Sequence, residues 1–295
     1  MKGCVIMTQD NSKNVAPNTG ADRLVSLTDT GSYIKITDMK YRNKVNNCRK
    51  LDKDHYRDAN GIVHEYKHTE NRQQSIKSVR RSLNKLCDII NANTTDLSRC
   101  RWVTLTYADN MTDLAQLAKD WGIFLKKARR KWGKFEYIAV KEPQARGAWH
   151  LHVIMIFEGN APRIANDDVF KMWGKGYVKV KGMTEGVDFG LYFTASLRDL
   201  TKSEAEKAGI VTADRKVSAD KKYIKGARLE LYPRNMRIFE HSQNINKPKK
   251  DTMTKSQANQ RVKDMKKVSQ YTTYPKDVAG RYLNNITITK YKKEE

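Results

Sequence analysis

The stretch Phe135-Glu-Tyr-Ile-Ala-Val-Lys-Glu142-Pro-Gln-Ala-Arg-Gly-Ala-Trp149-His150-Leu-His152-Val-Ile-Met-Ile-Phe157 decides the fold. Phe135 to Glu142 reads as one strand, Pro143 to Gly147 as a turn and Trp149 to Phe157 as a second strand, giving an antiparallel hairpin. A strand sends alternate side chains to opposite faces. His150, His152, Ile154 and Ile156 therefore share one face, and Leu151, Val153, Met155 and Phe157 take the other. Apolar residues on both faces place this second strand centrally in its sheet.

Outward from the hairpin, Arg101 to Tyr107 alternates β-branched and aromatic residues and reads as a further strand. Upstream of it, Ile76, Val79, Leu83, Leu86 and Ile90 recur at helical spacing within Ser75 to Asn93, with Lys77, Arg80, Arg81 and Lys85 on other faces. A second helix starts at a cap, Asp113, and ends at Gly133; Leu114, Leu117, Trp121, Phe124, Leu125, Ala128 and Trp132 form its core stripe. Lys126, Lys127, Arg129 and Arg130 crowd its last turns, where they suit the helix dipole and can also reach phosphate. A helix at Asn166 to Trp173, a strand at Tyr177 to Val180 and a helix at Val187 to Leu200 complete a β-α-β-β-α-β-like core. The expected class is α+β: a central antiparallel sheet with helices packed on its faces.

The chain has 295 residues, with 57 Lys+Arg against 33 Asp+Glu and a formal net charge of +24. The excess is uneven. Residues 1–71 carry 12 basic and 9 acidic side chains, residues 72–245 carry 32 and 19, and residues 246–295 carry 13 and 5. These segments are the expected organisation: a polar N-terminal extension at 1–71, a catalytic domain at 72–245 and a basic C-terminal tail at 246–295. The first forty residues read as a loose arm or short strands, Asn246 to Lys267 as a linker or helix, and Tyr282 to Tyr291 as a late strand. A charge of this size, accompanied by 14 Tyr and 5 Trp, points to nucleic acid as the partner. Cys4, Cys48, Cys87 and Cys100 form no CxxC pair, so neither a zinc ribbon nor a disulfide framework is indicated. With no apolar run of spanning length and no signal-peptide pattern, the expected location is cytoplasmic, away from membranes.

Two imidazoles projecting from one strand face can grip one cation, and Glu142, across the turn, can bring a carboxylate beside them. Two nitrogens and one oxygen suit a divalent ion, with Mn²⁺ and Mg²⁺ as candidates beside Zn²⁺. The plainer reading of His150 and His152 is cross-strand packing and hydrogen bonding. Against it, Val or Ile would serve packing better on a central strand. A histidine-triad hydrolase needs a third His two residues on, where Ile154 stands.

These residues resemble the HUH endonucleases, and among them the rolling-circle replication initiators of bacterial plasmids and phages. The resemblance spans roughly Arg72 to Ile245. Trp102 to Tyr107 looks like the family's first motif, His150-Leu-His152 like its His-hydrophobic-His motif, and Glu142 holds the third ligand position. Val187-Asp-Phe-Gly-Leu-Tyr192-Phe-Thr-Ala-Ser-Leu197 resembles the tyrosine helix, and Lys225 to Pro233 resembles a segment common in Gram-positive relatives. The resemblance implies an RRM-like core, a metal held by Glu142, His150 and His152, and Tyr192 as a nucleophile that nicks single-stranded or hairpin origin DNA. A 5′-phosphotyrosyl link and a free 3′-OH would result.

The chain departs from the pattern twice. Many relatives carry Tyr-x-x-Lys, but Ala195 stands at the lysine position, leaving Arg198 or Lys202 as substitutes; where some relatives place a second tyrosine, this chain has Ser196. These departures keep open a catalytically inactive DNA-binding or repressor protein, and a transposase or relaxase shares the chemistry. No Gly-x-x-x-x-Gly-Lys-Ser/Thr loop is present, so unwinding and synthesis fall to a host helicase and polymerase.

Overall fold

The structure is a computed structural model and describes residues 15–17, 20, 22–43, 48–58, 60–66, 76–144, 146–183, 199–201, 217–218, 223–225, 227–233, 236–275, 282 and 284–293. The main elements, in chain order, are β1 (Leu24–Asp29), β2 (Tyr33–Met39), α1 (Ile76–Asn93), β3 (Cys100–Thr106), α2 (Leu114–Trp132), β4 (Phe135–Pro143), β5 (Trp149–Phe157), α3 (Asn166–Trp173), β6 (Val178–Gly182), β7 (Phe239–His241), β8 (Lys249–Thr254), α4 (Lys255–Arg261), β9 (Lys266–Thr273) and β10 (Ile286–Lys292). The fold is α+β, as the sequence leads one to expect.

The chain divides into two compact units, one made of Thr69–Lys247 and the other of Met1–His68 together with Pro248–Glu295. In the middle unit, five antiparallel strands run in the order β6-β3-β5-β4-β7. β5 is central, as its two apolar faces require: Leu151, Val153 and Met155 on one side and Ile154 on the other are fully buried. Register assigns the faces. Trp102, Thr104 and Thr106 of β3 stand opposite Ile154, His152 and His150, so they share the histidine face. Tyr137 stands opposite Met155 on the reverse face, where its ring meets Trp121 of α2 edge-on at 5.2 Å. α2 thus covers the face away from the histidines. Its first turn is capped by Asp113, whose carboxylate accepts from the Ala115 and Gln116 amides, and Gly133 ends it at positive φ.

Two buried polar groups lock this layer. Tyr107 donates to the buried Asp120 carboxylate at 2.8 Å, which also accepts from Gln116 and pairs with Lys175. Gly176, at φ +148, passes so close to the loop after β3 that a Cβ there would collide with the Ala108 amide nitrogen and the Thr106 carbonyl.

The second unit corrects the reading of the chain ends as separate extensions. β1 and β2 from the N-terminal part join β8, β9 and β10 from the C-terminal part in one sheet of order β8-β1-β2-β10-β9. Val25, Leu27, Ile34 and Ile36 pack there against Ala258 and Val262. The segment expected as a linker or helix is strand β8 followed by helix α4, with a capping box between Thr254 and Gln257. The expected strand at Tyr282 to Tyr291 begins at Ile286, and the one at Tyr177 to Val180 runs from Val178 to Gly182. Most of the expected helix at Val187 to Leu200 lies outside the described residues, but its end is corrected: Asp199–Thr201 is a strand paired with Tyr223–Lys225. β7, at the sheet edge, was not anticipated.

The segment Lys225 to Pro233 has a packing role. Fully buried Tyr232 meets the Trp149 ring edge-on at 5.7 Å and donates to the Lys141 carbonyl at 2.8 Å, holding β4 and β5 together beside Glu142. Tyr232→Phe, which loses only the hydrogen bond, is expected to cost about 1 kcal/mol. Tyr232→Ala, which also opens a cavity, is expected to cost about 3–5 kcal/mol; urea denaturation checks both.

Candidate metal centre

Glu142 lies near the end of β4, and His150 and His152 lie in the first half of β5. The turn between them is closed by hydrogen bonds from Gln144 N to Ala148 O and from Gly147 N to Gln144 O, with Gly147 at φ 91. Arg146 donates to the carbonyls of Tyr107 and Ala108 at 2.9 and 3.1 Å, tying the turn to the loop after β3. The Trp149 indole donates to the Thr112 carbonyl at 2.9 Å.

In this register His150 stands directly opposite Glu142, and His152 stands opposite Val140 on one side and Thr104 on the other. One carboxylate oxygen, Glu142 Oε2, lies 2.7 Å from His152 Nε2 and 3.4 Å from His150 Nε2. The two imidazoles meet edge-on at 4.6 Å between ring centroids. One donor atom from each of Glu142, His150 and His152 falls within 4.8 Å of the others. Among the described residues this is the one such group of His, Cys, Asp and Glu.

Glu142 is 1% exposed. Burial pushes the His150 imidazole down to about 4; burial, then the neighbouring His150, pushes that of His152 down to about 3. Both rings are therefore neutral at pH 7, with a lone pair available on each. The residues fit a divalent ion on a further ground: His150 Nε2 is buried and, for all its approach to the carboxylate, makes no hydrogen bond, an orphan that a cation would satisfy. Thr104 Oγ1 lies 3.2 Å from His152 Nδ1, so an Nδ1–H donated to it leaves the Nε2 lone pair facing Glu142. Trp102, whose indole donates to the same hydroxyl at 3.3 Å, also sets its ring edge-on to His152 at 5.9 Å.

The site brings together the three expected ligands. Lys126, Lys127, Arg129 and Arg130 lie on α2, which covers the other face of the sheet. Two of them have structural contacts: Lys127 donates to the Met172 carbonyl, and Arg129 donates to the Phe135 carbonyl and lies over the rings of Phe135 and Tyr137. Tyr192, Arg198 and Lys202 lie outside the described residues. Thr104 and Trp102 were not singled out as ligand-orienting residues. The available signal was the period-two pattern of β3, which sets Trp102, Thr104 and Thr106 on one face, though nothing local says that this face meets the histidines.

No curated protein and no solved structure matches the chain. Residues 100–197, about a third of the chain, match a family model described as Replication-associated protein, of the ORF2 type. The stretch that holds Glu142, His150, His152 and Tyr192 is thus similar to a family of replication-associated proteins.

Proposed function

We propose that this chain is a replication initiator of the rolling-circle type, an HUH endonuclease that nicks single-stranded or hairpin origin DNA and stays attached through Tyr192. The observation that carries the reading is the Glu142, His150 and His152 cluster with its orphaned buried nitrogen, within a stretch similar to replication-associated proteins that also contains Tyr192. In the proposed step the Tyr192 oxygen bonds to phosphorus and the phosphorus–O3′ bond breaks. The phenol loses its proton, the departing 3′ oxygen gains one, and the freed 3′-OH can prime synthesis by a host polymerase after unwinding by a host helicase. The phosphotyrosyl ester conserves the bond for later rejoining. Glu142, His150 and His152 would hold Mn²⁺ or Mg²⁺, which supplies Lewis-acid stabilisation of charge on the nonbridging oxygens. Arg198 and Lys202 are the proposed substitutes for the lysine missing at Ala195. Lys126, Lys127, Arg129 and Arg130 would hold DNA only on the side of the sheet away from the histidines. The proposed setting is the bacterial cytoplasm.

Incubation with an origin hairpin oligonucleotide and Mn²⁺ is expected to yield a covalent protein–DNA adduct on a denaturing gel. Tyr192→Phe and His150→Ala should both lose the adduct and keep DNA binding; unchanged cleavage by Tyr192→Phe would overturn the assignment. Binding without an adduct in the unaltered protein would favour the repressor alternative.

Metal binding is separable from nicking. Mn²⁺ at about 100 times its Kd is expected to stabilise the protein by about 2.7 kcal/mol. His150→Ala should abolish that gain in a thermal melt, and Tyr192→Phe should preserve it. Thr104→Val, which removes the hydroxyl facing His152 Nδ1, is expected to weaken Mn²⁺ binding about 10–100-fold by calorimetry.

A further inference from the structure

The sheet of the second unit separates its charges by face. Directly opposed residues in an antiparallel sheet project to the same side, so register fixes which face each side chain occupies. One face carries Val25, Leu27, Ile34 and Ile36 and packs against α4. It also carries all three strand acids: Asp29 opposes Ile34, Asp251 opposes Leu27, and Asp38, two residues from Ile36, pairs with Lys255 of α4 at 3.1 Å.

The reverse face has no acidic strand residue and five lysines. A single row crosses the sheet as Lys250, Thr28, Lys35, Lys290 and Ser269; beside it, Tyr33, Lys292 and Lys266 are in register. Lys35 directly faces Lys290, and Lys292 directly faces Lys266. Like charges in opposed positions destabilise a sheet. Two such pairs on one face, with every strand acid on the other, make sense where a polyanion supplies the compensating charge.

We propose that this face is a second DNA interface, one that docks duplex DNA through the lysines of β2, β8, β9 and β10. Geometry favours a duplex over a single strand. Lys250 on β8 lies three strand spacings from Lys290 and Lys292 on β10, a span of about 14 Å, close to the width of about 12 Å that separates the phosphate rows flanking a major groove. Between these flanks the next row presents the hydroxyls of Ser26 and Thr37, small groups able to reach base edges. Single-strand platforms instead depend on open aromatic rings. Here the Tyr33 ring is capped by the Lys290 ammonium at 3.9 Å.

The proposal does not rest on Tyr192 or on the metal, and its test uses the full chain without divalent ions. Fluorescence anisotropy compares a 30-base-pair duplex with its single strand (~30 base pairs gives about three helical turns). Lys35→Thr/Lys290→Thr is set against Lys249→Thr/Lys267→Thr, which removes the same charge from the opposite face, where Lys249 opposes Asp29 and Lys267 opposes Tyr291. The first variant is expected to weaken duplex binding at least tenfold and to lower the slope of log K against log salt by about 1.8. Its melting temperature should not fall, since an opposed like-charge pair has gone, and its adduct formation on single-stranded DNA, assayed separately with Mn²⁺, should be unchanged. Equal losses in the two variants, or an unaffected duplex slope in the first, would overturn the proposal. So would loss of single-strand binding with duplex binding intact. If the unaltered protein forms no adduct, the nicking reading fails and the comparison of faces still stands.

Discussion

The pairing of Glu142 with His150 across one hairpin is the constraint on which the candidate site depends. Side chains alternate with period two, so a slip of one residue between β4 and β5 would send the carboxylate to the face covered by α2 and leave two neutral imidazoles with no oxygen beside them. The surrounding structure is arranged against that slip. Arg146 ties the turn to the loop after β3, the Trp149 indole holds the Thr112 carbonyl, and Tyr232 bridges the hairpin through Trp149 and the Lys141 carbonyl. None of these residues is itself a ligand. Each limits the freedom of a side chain that is.

The same burial that fixes the register also sets the chemistry. A carboxylate that is 1% exposed and two rings kept neutral by desolvation form a dry, oxygen-and-nitrogen pocket within a sheet. Buried polar groups of this kind are costly without partners. The hydroxyl of Thr104 answers one nitrogen of His152, and Glu142 answers the other. His150 Nε2 has no such answer, which makes it the least settled atom of the cluster and the most direct structural argument for a cation.

Much of this was legible in the chain. The hairpin, the central position of β5, the cap at Asp113 and the stop at Gly133 follow from local patterns that short stretches of sequence carry by themselves. Glu142, His150 and His152 were readable for the same reason, since they sit close together in the chain on paired strands. What escaped was non-local. β8, with Lys249, Lys250 and Asp251 in succession, shows no apolar alternation, because Met253 is its only core-facing hydrophobe; its strand character comes from pairing with β1, more than 200 residues earlier. Tyr232 and Thr104 likewise gain their roles only from what the fold places against them.

The sheet that joins the two ends of the chain also has a consequence for folding during synthesis. β1 and β2 leave the ribosome early, yet their partners β8, β9 and β10 lie between Lys249 and Lys292. The middle unit, whose strands all fall within Thr69–Lys247, can pair fully before those partners exist. β1 and β2 must meanwhile wait with open edges, a state that favours polar and charged strand residues over greasy ones. The lysines and threonines of that sheet thus have a second use: they keep an unfinished sheet soluble until its last strand arrives.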